Sequence, residues 1–365
     1  MTSIRRKVGF LTLAFLLAVM FCMGLAALMD RHTTDNAVVM DSQWVVEYHG
    51  QKFAPKSLTQ FKPITGNVIY GDSLFFDATM PSNLSGYSSL RIRLFVSAMD
   101  VYLNDEKIYS YGRELMNEGG IIGSGYHRIL LPSGWEGKHL SMHVYAAESG
   151  AFDIMPEMTL LRAESFGTLQ SALHLSPAFC LAVFMCLFGI MAIIGGIGAM
   201  GYAAYFYRMP FIGLFSFVLG IWTVCYTHEI QLISSNLELN AIVEYATLYF
   251  APITIELLLV TIRYRKMRGW RWNALVSLLV FNSLFFVVTT FLQIFNIANY
   301  SHFLAPFHVG VLAGGVFLMM PGVIFSRRDS LPVKIAGIGL LIFCLSGVAE
   351  IGSFLLNHMY PGIDP

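Results

Sequence analysis

The sequence predicts an α-helical polytopic membrane bundle joined to an all-β antiparallel sandwich. Three observations predict it. Of 365 residues, 56% are hydrophobic and 13% charged, whereas a soluble domain carries about 25% charged residues. The mean hydropathy is +0.61, and the apolar residues gather into runs of bilayer-spanning length. Between the first run and the others, the pattern changes to a period of two.

The first run, 8–29, is unbroken and follows Arg5, Arg6 and Lys7. A run of about 20 residues spans a bilayer. The basic flank predicts a cytoplasmic N-terminus, residues 1–7, and an exported segment beyond. Its length favours an uncleaved anchor over a cleaved signal peptide.

Residues 31–170 form the expected extracytoplasmic domain. Leu90, Ile92, Leu94 and Val96 alternate with Ser89, Arg91, Arg93 and Phe95. Leu140, Met142, Val144 and Ala146 alternate with His139, Ser141, His143 and Tyr145. Both are patterns of half-buried strands. Asn104-Asp105-Glu106 between two β-prone runs predicts a tight hairpin. Further strands are expected at 43–48, 67–76, 126–131 and 155–161. Short strands without helical periods suggest a sandwich.

From 174 to 357 the apolar runs resume, with spans expected near 174–199, 208–227, 240–262, 273–295, 303–325 and 334–357. Helices satisfy their own backbone in lipid. Loop charges give the orientation. The stretch 263–272 holds Arg263, Arg265, Lys266, Arg268 and Arg271, and 326–333 holds Arg327 and Arg328. The alternate loops 228–239 and 296–302 hold no Lys or Arg. The asymmetry follows the positive-inside rule. It leaves residues 358–365 as an outer tail.

All five cysteines lie in apolar segments, so no disulfide framework or metal-type spacing is present. The formal net charge is +0; bulk charge points neither to nucleic acid nor to an acidic ligand. No HExxH, GxSxG, Walker or GxGxxG signature occurs. Neither a cofactor, a metal nor a catalytic role is expected.

At this point the layout resembles the bacterial seven-transmembrane receptors with diverse intracellular signalling modules. The stretch from Met99 to Gly112, MDVYLNDEKIYSYG, is similar to the hairpin of their extracellular jelly-roll domains and of galactose-binding-like domains. Tyr126–Pro132 and Gly137–Leu140 resemble the next strands. The resemblance implies a galactose-binding-like jelly roll, and a receptor passing an extracellular signal to a cytoplasmic diguanylate cyclase or histidine kinase module. The family has a seventh helix after the outer domain where this sequence shows six, so the resemblance implies a truncated sensory half. A transporter or a membrane assembly protein with an exported β-domain is the alternative.

Candidate binding residues fall in two places. In the outer domain, Arg113, Tyr126, His127 and Arg128 flank the glycine-rich loop 119–125, and with Trp135 they offer aromatic and directional polar groups to a small, carbohydrate-like ligand. Most of the aromatic residues there are equally expected as core. In the bundle, Glu244, His308 and Glu350 fall on three helices, roughly 6–11 Å below the outer ends by helical rise. Ionisable groups in lipid face the bundle interior, so a polar pocket is one reading and a structural hydrogen-bond cluster the other. Glu256 sits deeper and could snorkel toward Arg263 or Arg265. His228 and Glu229 are expected as a loop cap or solvent-exposed. Gly310 and Gly314 form a GxxxG, which favours packing within the chain over a homodimer contact. Pro252, Pro306 and Pro321 are expected to kink their helices. The expected partners are the lipid bilayer, an extracellular small molecule and, secondarily, a second copy of the chain.

Overall fold

A computed structural model of the chain describes residues 37–58, 61, 68–84, 86–148, 150–152, 154–162, 177–201, 207–264, 267–320, 323–324 and 329–359. The expected anchor 8–29 and the end of the tail, 360–365, lie outside the described residues. The chain divides into two compact units. One comprises Met1–Phe184 with Thr223–Glu244; the other comprises Met185–Trp222 with Tyr245–Pro365.

The first unit is built on a two-sheet β-sandwich. Its strands are β1 (Ala37–Val39), β2 (Val45–Tyr48), β3 (Gln51–Phe53), β4 (Ser73–Thr79), β5 (Tyr87–Leu94), β6 (Ser97–Leu103), β7 (Glu106–Tyr111), β8 (Gly125–Leu130), β9 (His139–Ala146) and β10 (Glu157–Arg162). One sheet runs β1-β10-β5-β8 and the other β3-β2-β4-β9-β6-β7. Every pairing is antiparallel. Alternation sets the core, because strand side chains project to opposite faces. Leu90, Ile92 and Leu94 of β5, and Leu140, Met142, Val144 and Ala146 of β9, are all buried between the sheets. Trp44 and Trp135 fill the same core and donate their indole N–H groups to the carbonyls of Met40 and Tyr87, at 2.8 and 2.9 Å.

The hairpin β6–β7 turns through Asn104 and Asp105, with φ of 47° and 67°. Two consecutive left-handed residues make the turn whose twist matches paired strands, and Asn and Asp adopt it most readily among residues with side chains. The strand expected at 67–76 instead starts at Ser73. Ahead of it the chain turns at Gly71, with φ of 88°, and the Asp72 carboxylate accepts from the Ile69 amide at 3.0 Å. Residues 62–67 lie outside the described residues. β1 and β3 have three residues each, too few to show alternation.

A short helix, α1 (Arg113–Asn117), follows β7. The long helices are α2 (Pro177–Ala199), α3 (Met209–Tyr226), α4 (Leu237–Arg263), α5 (Trp270–Ile294), α6 (Leu304–Leu318, entered through the 3₁₀ turn Tyr300–Phe303) and α7 (Leu331–Met359). Among the described residues, five segments are long and apolar enough to cross a membrane: Ala178–Ala199, Met209–Tyr226, Leu237–Arg263, Trp270–Ile294 and Tyr300–Leu318. α7 contains a shorter apolar stretch, Val333–Ala349. Large apolar side chains such as Met191, 72% exposed, cover the helix exteriors. A surface of that kind suits hydrocarbon as its solvent. α6 stops at Leu318, short of the expected 325. Pro321 follows in sequence and disfavours helical backbone before it. Pro306 lies in the first turn of α6, where no intrahelical donor is lost.

In the second unit the helices meet through small residues and buried polar pairs. A Cβ on Gly189 would fall 2.7 Å from the Gly213 carbonyl oxygen, and one on Gly213 would fall 2.5 Å from that of Gly189. α2 and α3 therefore cross with their backbones nearly touching. Gly314 and Gly310 face Leu278 and Phe281 of α5, so the GxxxG serves packing within the chain. Glu256 accepts a hydrogen bond from Asn282 at 2.6 Å. It does not reach for Arg263, because Arg263 is held elsewhere. Arg263 donates to Asp329 at 2.8 Å, to the Val323 carbonyl at 2.5 Å and to the Ile324 carbonyl. That ion pair is 1% exposed on both sides.

Candidate functional site

The connection between α3 and α4 is ordered by its own sequence. Thr227 donates to the Glu229 carboxylate at 2.8 Å. His228 takes a left-handed backbone, φ 61°, and opens the 3₁₀ turn Glu229–Leu232. Asn236 accepts from the Leu239 amide at 3.0 Å, as a helix N-cap should. Asn240 reaches back to the Ser234 carbonyl at 2.9 Å. Of the two expectations, a loop cap or solvent exposure, the first fits the place of His228 at the N-cap of this turn, though without a side-chain cap bond, and the second fails because His228 and Glu229 are buried. The reason is that this connection lies against the sandwich, within the same compact unit.

β8 is an edge strand, so one row of its backbone groups faces away from the sheet and needs partners. Gln231 supplies them. Its Oε1 accepts from the Tyr126 amide at 2.9 Å, and its Nε2 donates to the Tyr126 carbonyl at 2.9 Å. The side-chain amide thus pairs like one residue of an added strand. His228 sets its ring edge-on to Tyr126 and Phe95, with centroids 6.2 and 6.4 Å apart. The glycines of the preceding loop let α4 come this close. A Cβ on Gly123 would fall 2.1 Å from the Leu237 carbonyl oxygen, and one on Gly125 would fall 2.7 Å from Leu237 Cδ2.

The sheet pleat separates the neighbours along β8. Ile129 and His127 face the core, while Tyr126 and Arg128 face outward. His127 is buried beside Tyr109 and Tyr111. Its Nδ1 lies 3.2 Å from the Tyr109 hydroxyl, and its ring centroid lies 4.4 Å from that of Tyr111. Its Nε2 is buried with no hydrogen-bond partner among the described residues. Burial pushes the imidazole down to about 4. His228 is likewise pushed down to about 4, first by burial and then by the charge of Arg93. Both rings are therefore neutral at pH 7.

On the outward face, the guanidinium groups of Arg91 and Arg93 lie over the Tyr126 ring, 5.0 and 5.8 Å from its centroid. Arg128 is exposed and pairs with Arg91 in register. Arg113 begins α1 and stacks on Tyr145 at 3.8 Å. Its charge contributes to the environment of Asp100. Burial pushes the Asp100 carboxyl up, but hydrogen bonds from Ser110 and Lys107, with the charges of Lys107 and Arg113, hold it below the usual range. Trp135 is buried in the sandwich core.

The five outer-domain candidates thus occupy three settings. Tyr126 and Arg128 share the outward face, His127 and Trp135 lie inside the sandwich, and Arg113 stands apart in α1. Of the bundle candidates, Glu244 is half-buried on α4 in the first unit, and His308 is half-buried on α6 in the second. Glu350 lies on α7, and its side chain is outside the described residues. The sequence reading missed Gln231, Arg91 and Arg93 as members of one site. A glutamine in a loop carries no signal of its partner, and arginines alternating with apolar residues look like an ordinary solvated strand face.

No protein-family model matches this chain, and a search of curated proteins finds no match.

Proposed function

We propose that the chain is the signal-input part of a membrane receptor. Its sandwich is a galactose-binding-like jelly roll held on the extracytoplasmic side of the cell membrane. It senses a small ligand, with carbohydrates the first class to test, and passes the signal through the helices to a cytoplasmic output module such as a cyclase or kinase. The observation that carries this reading is the pair of hydrogen bonds between Gln231 and the backbone of Tyr126. They attach the edge of the β-domain to the ten residues between α3 and α4. A ligand that shifts β8 would move the ends of two apolar helices. Such a ligand biases the helices only by its differential affinity for two arrangements.

Two measurements test it. For orientation, a cysteine replacing Glu106 in the exposed hairpin is expected to react with a membrane-impermeant reagent on intact cells. One replacing Arg268 is expected to react only after lysis. The opposite pattern would end the sensing role. For coupling, the purified chain in nanodiscs would be screened against mono- and oligosaccharides by hydrogen exchange. A ligand protecting the sandwich is expected to alter exchange at 227–237 as well. Binding that leaves 227–237 unchanged would separate the domain from the helices.

A further inference from the structure

The outward face of the four-stranded sheet holds hydrogen-bond donors that have no acceptor among the described residues. Register places Arg91 directly between Thr159 of β10 and Arg128 of β8, and places Arg93 between Glu157 and Tyr126. Directly opposed residues have Cβ atoms about 4.5–5.5 Å apart. All six project from the same face, since Leu90, Ile92 and Leu94 between them point into the core. Glu157 is the one acid in the group. It approaches Arg91 Nη2 at 3.6 Å. Arg91 Nη1, Arg93 Nε and the Thr159 hydroxyl are each buried with no hydrogen-bond partner among the described residues. Thr159 is only 2% exposed.

Buried donors in folded proteins are nearly always paired, so three together on one face point to a missing acceptor. The group is one-sided in chemistry. Two guanidinium groups can only donate, and the threonine hydroxyl is free to do so. Arg91 and Arg93 bring two positive charges beside the single carboxylate of Glu157. The complement is an anion with several acceptor oxygens pointing in different directions. A phosphoryl group has three such oxygens and is the common partner of guanidinium forks. A carboxylate offers its acceptor sites in a single plane, whereas these donors come from three side chains on two strands. Tyr126 steadies the arrangement, because both guanidinium groups lie against its ring. Gln231 in turn fixes the backbone of Tyr126.

We propose that Arg91, Arg93 and Thr159 form a phosphate-binding site on the outward face of the four-stranded sheet, with Arg128 adding charge at its rim. The phosphoryl group could belong to a membrane phospholipid or to a soluble phosphate monoester. The lipid source fits the setting. Tyr126 touches His228, two residues beyond the end of the apolar helix α3 at Tyr226. That is the level at which a membrane helix meets the headgroups. The site stands on the sheet register and the unused donors, and does not depend on the receptor reading.

The test uses the full chain with two probes. For the lipid source, the protein is reconstituted in nanodiscs of phosphatidylcholine with phosphatidylglycerol, released into detergent, and the retained phospholipid is counted by native mass spectrometry. For the soluble source, inorganic phosphate and glycerol 3-phosphate are titrated into delipidated protein and followed by thermal shift. Wild type is expected to bind in one arm. Arg91→Gln and Arg93→Gln are each expected to weaken that binding roughly tenfold or more, as loss of a charged hydrogen bond does. Lys56→Gln, at an exposed position just after β3 of the other sheet, is expected to bind as wild type. Retention of lipid alone assigns a phospholipid; a shift with the soluble probes alone assigns a monoester. Arg91→Lys keeps the charge but loses the fork, and an intermediate affinity there supports the site even if the glutamine variants fold poorly. The site is overturned if wild type binds in neither arm, or if folded Arg91→Gln and Arg93→Gln bind as tightly as wild type.

Discussion

Gln231 pairs with both backbone groups of Tyr126 through a single planar amide, so its removal strands a donor and an acceptor together. Gln231→Leu keeps the volume and loses both bonds. Leaving buried polar groups unpaired costs about 1–3 kcal/mol each. The expected result is faster exchange of the Tyr126 amide with the sandwich core unaffected, and unchanged protection at Tyr126 would remove the clamp. His127 and His228 predict an acid response. Each falls from an ordinary 6.5 to about 4, through burial first and, for His228, the nearby Arg93. Between those values the unfolded chain binds protons that the folded unit does not. Stability is therefore complete above pH 6.5 and lost progressively as pH falls toward 4, by roughly 3 kcal/mol per histidine. Asp72 and Asp100 carry pKa values held below the carboxylate range by hydrogen bonds and neighbouring charges that outweigh burial. Their contribution is lost only at lower pH still. Thermal unfolding of the β-domain followed against pH is expected to fall in the first window, and His127→Gln to reduce the slope. A flat profile there would contradict the neutral, buried state of both rings.

Helices in this chain meet, among other contacts, through glycine at the α2–α3 crossing and through a buried ion pair at the end of α4. The Gly189–Gly213 crossing has no room for a methyl group. Gly189→Ala is expected to lower the unfolding temperature in detergent, by about 1–3 kcal/mol of overpacking. Gly195 on the same helix has open space around its Cβ position, so Gly195→Ala is expected to be neutral or slightly stabilising. Equal effects at the two positions would refute the close crossing. Arg263 at the end of α4 is fully buried against Asp329 and two carbonyls. Removing one partner of a buried pair costs about 3–5 kcal/mol, so Asp329→Asn is expected to destabilise the second unit markedly. An unaltered melt would mean that the carbonyls alone satisfy the guanidinium. The hairpin turn, the alternation of β5 and β9 and the apolar helices were all legible in sequence. Each depends on a local rule: a left-handed turn residue, a period of two, or an uninterrupted run. The three-residue strands and the start of β4 were not legible, because sheet pairing rather than local pattern defines them.

At the scale of the molecule, a β-sandwich and at least five helices of membrane-spanning character share one chain. The sequence by itself determined that division. Burial in lipid and burial between sheets demand different periodicities, and both are visible in the order of apolar residues. It also determined the core faces, since a period of two admits only one inward set. The tertiary structure alone decided what the polar residues do. Zero net charge hid a positive face, because Arg91, Arg93 and Arg128 become neighbours only through strand register. His228 changed from an exposed loop residue to a buried one because β8, about 100 positions earlier, lies beside it. Gly314 of the GxxxG packs against Leu278 of α5, a neighbour that the motif does not name. Such contacts join residues far apart in the chain, and the physics that selects them, shape at close range and the pairing of buried polar groups, leaves no repeat in the sequence.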